Sequence, residues 1–157
     1  MNLFEVIIVL LVIGLLLTAS FQQQQLIARV LVDSQINQLL FQFNTIKQLA
    51  LLENRTYGVV FNPATSQESP SETQYKAYYL VRKETTDQPM AEAEIIFKEY
   101  FDRRLTLYSQ GEVIDCENFS PVVFTGQGTS QANSFGFGYQ GYYKEIVVNN
   151  RGRIYYR

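Results

Sequence analysis

The chain has 157 residues, a net charge of −2, and 46% hydrophobic residues. This length suffices for one domain with a real core, and the charge balance gives no general argument for binding nucleic acid or an acidic substrate. With a single cysteine, Cys116, and no histidine, the chain lacks the parts for an internal disulfide, a Cys/His zinc site or a Cys/His dyad. We expect no metal ion and no cofactor.

The N-terminal segment is almost entirely apolar. Glu5 is the only formal charge in the first 28 residues, and the run 3–17 is otherwise apolar, with Gly14 as its one glycine. Residues 18–21 extend it to the ~20 residues that a membrane-spanning helix needs. No lysine or arginine precedes the run, so the segment is expected to be retained rather than removed as a signal peptide. A carboxylate in such a segment needs a partner.

A second apolar pattern follows at steps of four and three residues, which is the helical period. Its members are Val32, Ile36, Leu39, Phe43, Ile46 and Ala50. No proline occurs between Val6 and Asn54, so one helix of ~50 residues is the simplest interpretation. We predict a hydrophobic transmembrane or filament-core helix over 1–25, its amphipathic half over 26–54 packed on a globular head, and a β-rich head over 55–157.

The head shows short β-prone runs between turn residues. The predicted strands are 57–61, 75–83, 94–101, 104–108, 122–124, 143–148 and 153–156, in mainly antiparallel sheets. Asn149 to Gly152 should close a C-terminal hairpin. Exposed loops are predicted at 62–74 and 84–93, and the Gly-rich stretch 126–141 is predicted as a long loop with a short strand near Phe135 and Phe137. The fold class is therefore α+β.

Catalysis has little support in this sequence. Asp115 with Glu117, or Glu92 with Glu94, offer paired acids for acid–base chemistry, but no histidine or metal cage accompanies them. A calcium site at Asp115, Glu117 and Asn118 lacks the spacing of an EF-hand loop. The protein is not expected to be an enzyme.

The residues MNLFEVIIVLLVIGLL at the N-terminus resemble the mature N-terminus of type IV pilins and pseudopilins. The resemblance implies a pilin fold, a position for Met1 as the first mature residue with an N-methylated amine, and cleavage of a leader by a prepilin peptidase. It implies that Glu5 pairs with the Met1 amine of a neighbouring subunit. Proline is absent near position 22, where Gln22 stands, and Gly14 is a possible point of helix unwinding.

A weaker resemblance lies in the head. The segments 122–126, 134–138 and 145–154, ending in Gly152-Arg153-Ile154, are similar to the C-terminal region of GspH/FimT-type pseudopilins. Tyr155 stands where that pattern has a final arginine. The similarity makes this group the nearest match for the head.

These resemblances imply a structural subunit that polymerises into a helical filament through its N-terminal helix, with the major pilin of a bacterial type IV pilus as the first hypothesis. The expected partners are further copies of this chain, the inner membrane before assembly and the pilus assembly machinery, and the expected location is a cell-surface filament. The alternative is a minor pilin or pseudopilin of a DNA-uptake or type II secretion system. Its C-terminal hairpin would contact DNA through Lys144, Arg151, Arg153, Arg157 and Tyr155.

Overall fold

A computed structural model describes residues 2–60, 75–84, 89–114 and 120–156. Within these ranges one helix, α1 (Leu3–Glu53), precedes nine strands and one short 3-10 turn at Met90–Glu92. The strands are β1 (Tyr57–Val60), β2 (Tyr75–Arg82), β3 (Glu94–Asp102), β4 (Thr106–Ser109), β5 (Glu112–Ile114), β6 (Val122–Phe124), β7 (Asn133–Tyr139), β8 (Tyr142–Val148) and β9 (Ile154–Tyr156). The predicted loop 62–74 and Cys116 lie outside the described residues.

Helix α1 runs unbroken for 51 residues, as predicted, and ends at Asn54. Asn54 adopts a left-handed backbone, with φ of 51°, and its N–H donates to the Ala50 carbonyl. Asparagine tolerates this conformation better than most residues do, which makes it a suitable helix end. The chain then turns directly into β1.

Two antiparallel sheets pack on the second half of α1. The first has the strand order β3-β2-β1-β6 and the second the order β5-β4-β7-β8-β9. Every strand pair among the described residues is antiparallel. The expected architecture of a long helix on an antiparallel β head is therefore confirmed.

The core lies between the helix stripe and the inner faces of both sheets. The six stripe residues predicted from the sequence are all buried, at 1% exposure or less. They pack in one cluster against apolar side chains of β1, β2, β6, β7 and β8, with Phe43 edge-to-face on Phe124 at 6.2 Å. Burial of this stripe makes the helix and the head one folding unit.

The stretch 126–141 was predicted as a long loop with a short strand near Phe135 and Phe137, and the strand is longer than predicted. Residues 133–139 form β7, a seven-residue strand in the middle of the second sheet. Phe135 and Phe137 face the core, and Gly136 lies where a Cβ would come within 2.1 Å of the Lys144 backbone oxygen. The glycines suggest a loop in sequence, but here they allow a close approach in the sheet.

Other boundaries differ by smaller amounts. Strand β5 was not predicted, and the predicted loop 84–93 contains the short 3-10 turn. The C-terminal hairpin between β8 and β9 is present as predicted. Gly152 has φ of 67°, and its N–H donates to the Asn149 carbonyl at 2.8 Å.

Truncation of Phe43 to alanine should lower the free energy of unfolding of the head by about 3–5 kcal/mol, because it leaves a cavity in the core. Phe41 is the matched control, since it lies two residues away on the same helix and is 68% exposed. Phe41→Ala should change stability by less than about 0.5 kcal/mol. Denaturant titration of the full chain in detergent, followed by near-UV circular dichroism, measures both; equal destabilisation by the two substitutions would contradict the packing described.

Candidate functional site

The first part of α1 presents an apolar surface that nothing in the described part of the chain covers. Every described side chain from Phe4 to Ile27 is exposed except that of Val6, which is half-buried. The helix is long and apolar enough over this part to cross a membrane. We call residues 3–27 the spike. An apolar surface of this size requires lipid or other protein around it.

Glu5 lies in the first turn of the spike. Its carboxylate Oε2 accepts a hydrogen bond from the Asn2 backbone N–H at 3.0 Å, and the Glu5 N–H donates to the Asn2 carbonyl at 2.9 Å. The carboxylate thus caps one donor at the helix start within the chain. Met1 lies outside the described residues, so the predicted pairing of Glu5 with a Met1 amine stays a prediction.

Gly14 lies inside the continuous helix. A Cβ added there would meet nothing within 4 Å. Steric crowding within the chain therefore does not require a glycine at this position. Glycine lowers helix stability by roughly 0.5–1 kcal/mol relative to alanine, so a role as an unwinding point stays a prediction.

Asp33 joins the helix to the C-terminal strands. Its Oδ1 accepts from the Lys144 ammonium at 2.9 Å and from the Tyr142 hydroxyl at 3.1 Å. One turn further along the helix, Asn37 accepts from the Tyr156 hydroxyl at 3.0 Å. The Lys144 ammonium also lies 5.3 Å from the centre of the Tyr156 ring. These contacts hold β8 and β9 against the solvent-facing flank of the helix.

The ion pair shifts the pKa values of both Asp33 and Lys144. The hydrogen bond from Lys144 lowers the pKa of the Asp33 carboxyl below its ordinary value. The hydrogen bond to Asp33 in turn raises the pKa of the Lys144 ammonium. Both side chains are about a third exposed or more, so solvent screening keeps the contribution of the pair small.

The described members of the predicted DNA-contact set do not all lie on one side of the hairpin. Lys144 and Tyr156 face the helix, whereas Arg153 and Tyr155 are exposed on the outward side of the hairpin and Arg151 is exposed at its tip. The alternation of β9 puts Tyr155 opposite Val147 and Tyr156 opposite Ile146. Arg157 lies outside the described residues.

Of the acids considered for catalysis, Glu92 and Glu94 lie within the described residues. Glu94 forms an ion pair with Arg82 at 2.6 Å on the edge of the first sheet. Asp115, Glu117 and Asn118 lie outside the described residues, and within the described ranges no three His, Cys, Asp or Glu side chains come together to hold a metal ion.

Glu145 is a buried acid that the sequence did not single out. It is 1% exposed, and its Oε1 accepts from the Gly111 N–H at 2.9 Å, which ties the turn between β4 and β5 to the face of the second sheet. Its Oε2 has no hydrogen-bond partner in the part of the chain that the structure describes. The signal for its burial is Gly136 opposite it, and that signal appears only once the register is known.

A long helix with an uncovered apolar half, packed through its other half on an antiparallel β head, defines the type IV pilin fold. Among solved structures the chain is similar to the type IV minor pilin FimU of Pseudomonas aeruginosa, with 13% identity and a TM-score of 0.52 over 80% of this chain and 92% of that one. A second crystal form of FimU aligns with a TM-score of 0.48 and 14% identity, covering 80% of this chain and 90% of that one.

At this level of identity the likeness establishes the fold. No family model matches the sequence. Among the curated proteins there is no matching relative.

The Asp33–Lys144 pair should contribute about 0.2–1 kcal/mol to the free energy of unfolding at neutral pH. Folding lowers the pKa of Asp33, so the stability that this carboxylate contributes is fully present above its ordinary pKa of 3.8. That stability is lost as the pH falls through the lower pKa of the folded state. The share of Lys144 is lost as the pH rises through its raised pKa, above 10.5.

A double-mutant cycle with Asp33→Asn and Lys144→Met, followed by denaturant titration, measures the pair. The coupling should be constant between about pH 5 and 9 and should be lost as the pH falls through the lowered pKa of Asp33. A coupling that does not change with pH while Asp33 titrates would mean that the contact is not an ion pair.

Proposed function

We propose that this protein is a structural subunit of a bacterial type IV pilus or related pseudopilus, which polymerises into a helical filament through its spike. The observation that supports this most is the division of α1. Its first half exposes apolar side chains on all sides, while its second half buries the stripe from Val32 to Ala50. A bilayer covers the spike before assembly, and the spikes of neighbouring subunits cover it in the filament.

Glu5 sets the register of assembly in this proposal. Within the chain its carboxylate accepts only from a neutral backbone N–H among the described residues. In the filament core, the amine of Met1 on a neighbouring subunit neutralises it. Leaving either charge unpaired in such a low-dielectric setting costs several kcal/mol, so only subunits in the correct axial position join.

The proposed subunit passes through a membrane stage. A prepilin peptidase removes a leader and methylates the Met1 amine, and the assembly machinery then extracts the anchored subunit into a cell-surface filament. The spike supports this order because it is long enough to span the bilayer.

We propose the major subunit as the first candidate and a minor pilin as the alternative. FimU, a protein whose solved structure has a similar fold, is a minor pilin. Mass spectrometry of sheared and purified filaments decides between the two: this chain is expected to be the dominant protein of the shaft. Its presence only in trace amounts would assign it the minor role.

Replacement of Glu5 tests the pairing. Glu5→Ala should leave the head folded, because the buried core begins at Ala28, and should reduce filament yield at least tenfold. Glu5→Gln is the sharper variant, since it keeps an acceptor for the Asn2 N–H and removes only the charge. If pairing with an amine drives assembly, both variants fail alike.

Filament yield is measured by shearing and electron microscopy, with near-UV circular dichroism of the head as the folding control. Normal yield from Glu5→Gln together with failure of Glu5→Ala would show that helix capping, not charge pairing, is what assembly needs. Normal yield from both would contradict the proposed role of Glu5.

DNA contact at the C-terminal hairpin is a second candidate function. It is supported by Arg151 and Arg153, which are both exposed next to the half-exposed ring of Tyr155. Guanidinium groups bind phosphates and an aromatic face stacks on bases, so this arrangement fits single-stranded or frayed DNA.

Substitution of Arg151 and Arg153 by glutamine should weaken DNA binding and lower the slope of log K against log salt by about 1 for each phosphate that the variant no longer binds. Lys144→Gln combined with Arg29→Gln is the matched control, because it also removes two positive charges, and these side chains lie beside Asp33 and Tyr142 on the helix side. Fluorescence anisotropy with labelled DNA at several salt concentrations measures both. Equal effects from the two variants would point to net charge alone, and unchanged binding in both would remove DNA from the proposal.

A further inference from the structure

Three pieces of the described chain lie at the end of the head nearest the spike, and we call them the base. They are Arg29 of α1, the turn 102–105 between β3 and β4, and the turn 139–142 between β7 and β8. The β7–β8 turn packs on the helix, where it buries Ala28 to 1% exposure. Gln25 and Arg29 line the same shallow cleft as Gln140, Gly141 and Tyr142. The base is therefore fixed relative to the helix axis.

The base carries an excess of positive charge. Arg29, Arg103 and Arg104 are all exposed. The one acid among the described residues of the base, Asp102, pairs with Arg104 at 2.6 Å. Each of the other charges in these three segments is an arginine. Asp33, one turn along the helix from Arg29, is paired with Lys144. Among the described residues, a phosphate approaching the base from the spike side thus meets more guanidinium groups than nearby carboxylates neutralise.

Two tyrosines lie between these arginines. The guanidinium carbon of Arg29 is 5.8 Å from the centre of the Tyr142 ring, and that of Arg104 is 5.7 Å from the centre of the Tyr139 ring. Tyrosine and arginine are residue types that anchor proteins at the boundary between membrane and water. The ring contacts also hold the guanidinium groups at the base.

The length of the spike places the base at the level of the lipid headgroups. At 1.5 Å per residue, a hydrocarbon layer of about 30 Å takes about 20 residues, from Leu3 to about Gln22. The headgroup layer of about 5–7 Å takes four or five more residues, which reach about Ile27. Arg29 then lies at the outer edge of the headgroups, beside the β7–β8 turn.

From this geometry we propose that the base is a docking surface for anionic phospholipid headgroups, which holds the head on the membrane before assembly. The inference rests on the proposed membrane-anchored stage of the subunit. Its chemistry is that of guanidinium groups and phosphate, which form paired hydrogen bonds, with tyrosine hydroxyls at the same level. Extraction into a filament breaks these contacts, so the lipid composition sets how readily a subunit leaves the membrane.

The opposite end of the head provides a matched control. Arg55, Arg151 and Arg153 are exposed there, beyond the C-terminal end of α1 or at the tip of the β8–β9 hairpin. The rise of the helix from Arg29 to Glu53 is about 36 Å, which is several Debye lengths at physiological salt. Three charges can thus be removed from either end with the same change in net charge.

The experiment uses the full chain in lipid nanodiscs, made either of phosphatidylcholine alone or with 30% phosphatidylglycerol, and measures hydrogen exchange of the turns 102–105 and 139–142. Exchange of these turns should be slower in the anionic discs than in the neutral discs. Each arginine that binds a headgroup should raise the ratio of docked to undocked heads by roughly fivefold. High salt should remove the difference. The ratio between the two disc types is compared within each variant, so local loosening by a substitution cancels.

The ratio should fall to near 1 in a variant that combines Arg29→Gln, Arg103→Gln and Arg104→Gln. It should persist in the control that combines Arg55→Gln, Arg151→Gln and Arg153→Gln. Equal exchange of the wild-type chain in both disc types overturns the proposal, and so does an equal drop of the ratio in the two triple variants. Protection by inorganic phosphate in the neutral discs overturns the lipid assignment, since it shows a site for free anions.

Insertion of the spike is measured separately, by exchange of the amides in residues 6–21. A chain that inserts but leaves its base unprotected contradicts the docking surface alone. A chain whose spike exchanges freely in both disc types contradicts the membrane-anchored stage itself, and with it the docking surface.

Discussion

Burial of one helix stripe against two sheets is the interaction on which the rest of the structure depends. Leu39, Phe43 and Ile46 lie at the centre of a cluster that includes inner-face side chains of both sheets. The sheets share no described strand pair, so the helix provides their common packing surface. Because the buried face of the helix begins at Ala28, the preceding residues extend beyond the head as a separate apolar element. Both the rigidity of the head and the exposure of the spike follow from where this burial stops.

The polar contacts along the helix act within that constraint. Asp33 and Asn37 accept hydrogen bonds from Tyr142, Lys144 and Tyr156, so the last strands are held on the flank of the helix that the core leaves exposed. Each contact is partly solvated and contributes little to stability. Together they decide which side chains of β8 and β9 face the helix and which remain outside. The same contacts hold the β7–β8 turn, and therefore the tyrosines of the base, at a fixed height above the spike.

Much of the architecture was predictable because its signals are local. The helix period from Val32 to Ala50 and the absence of proline determined one long helix and its buried face. Most strands and the C-terminal hairpin followed from β-prone runs and turn residues. Strand β7 was predicted only as a short strand near Phe135 and Phe137, because glycines at 136 and 138 weaken a strand in isolation. Glycine is needed at these two positions because side chains and backbone of the neighbouring strands approach them closely. A pattern within one segment cannot reveal that approach.

The candidate sites were likewise predictable from the sequence only in part. The sequence by itself determined an apolar spike with one acid at its start, since charge and hydropathy along a single helix need no knowledge of distant residues. Only the tertiary structure decided that Lys144 faces Asp33 while Arg153 faces outward, and that Glu145 is buried beneath a turn. It also decided that Arg29 and Arg104, 75 positions apart in sequence, lie at the same end of the head. The physical reason is register: strand pairing and helix packing bring these residues together, and both depend on contacts made far away along the chain.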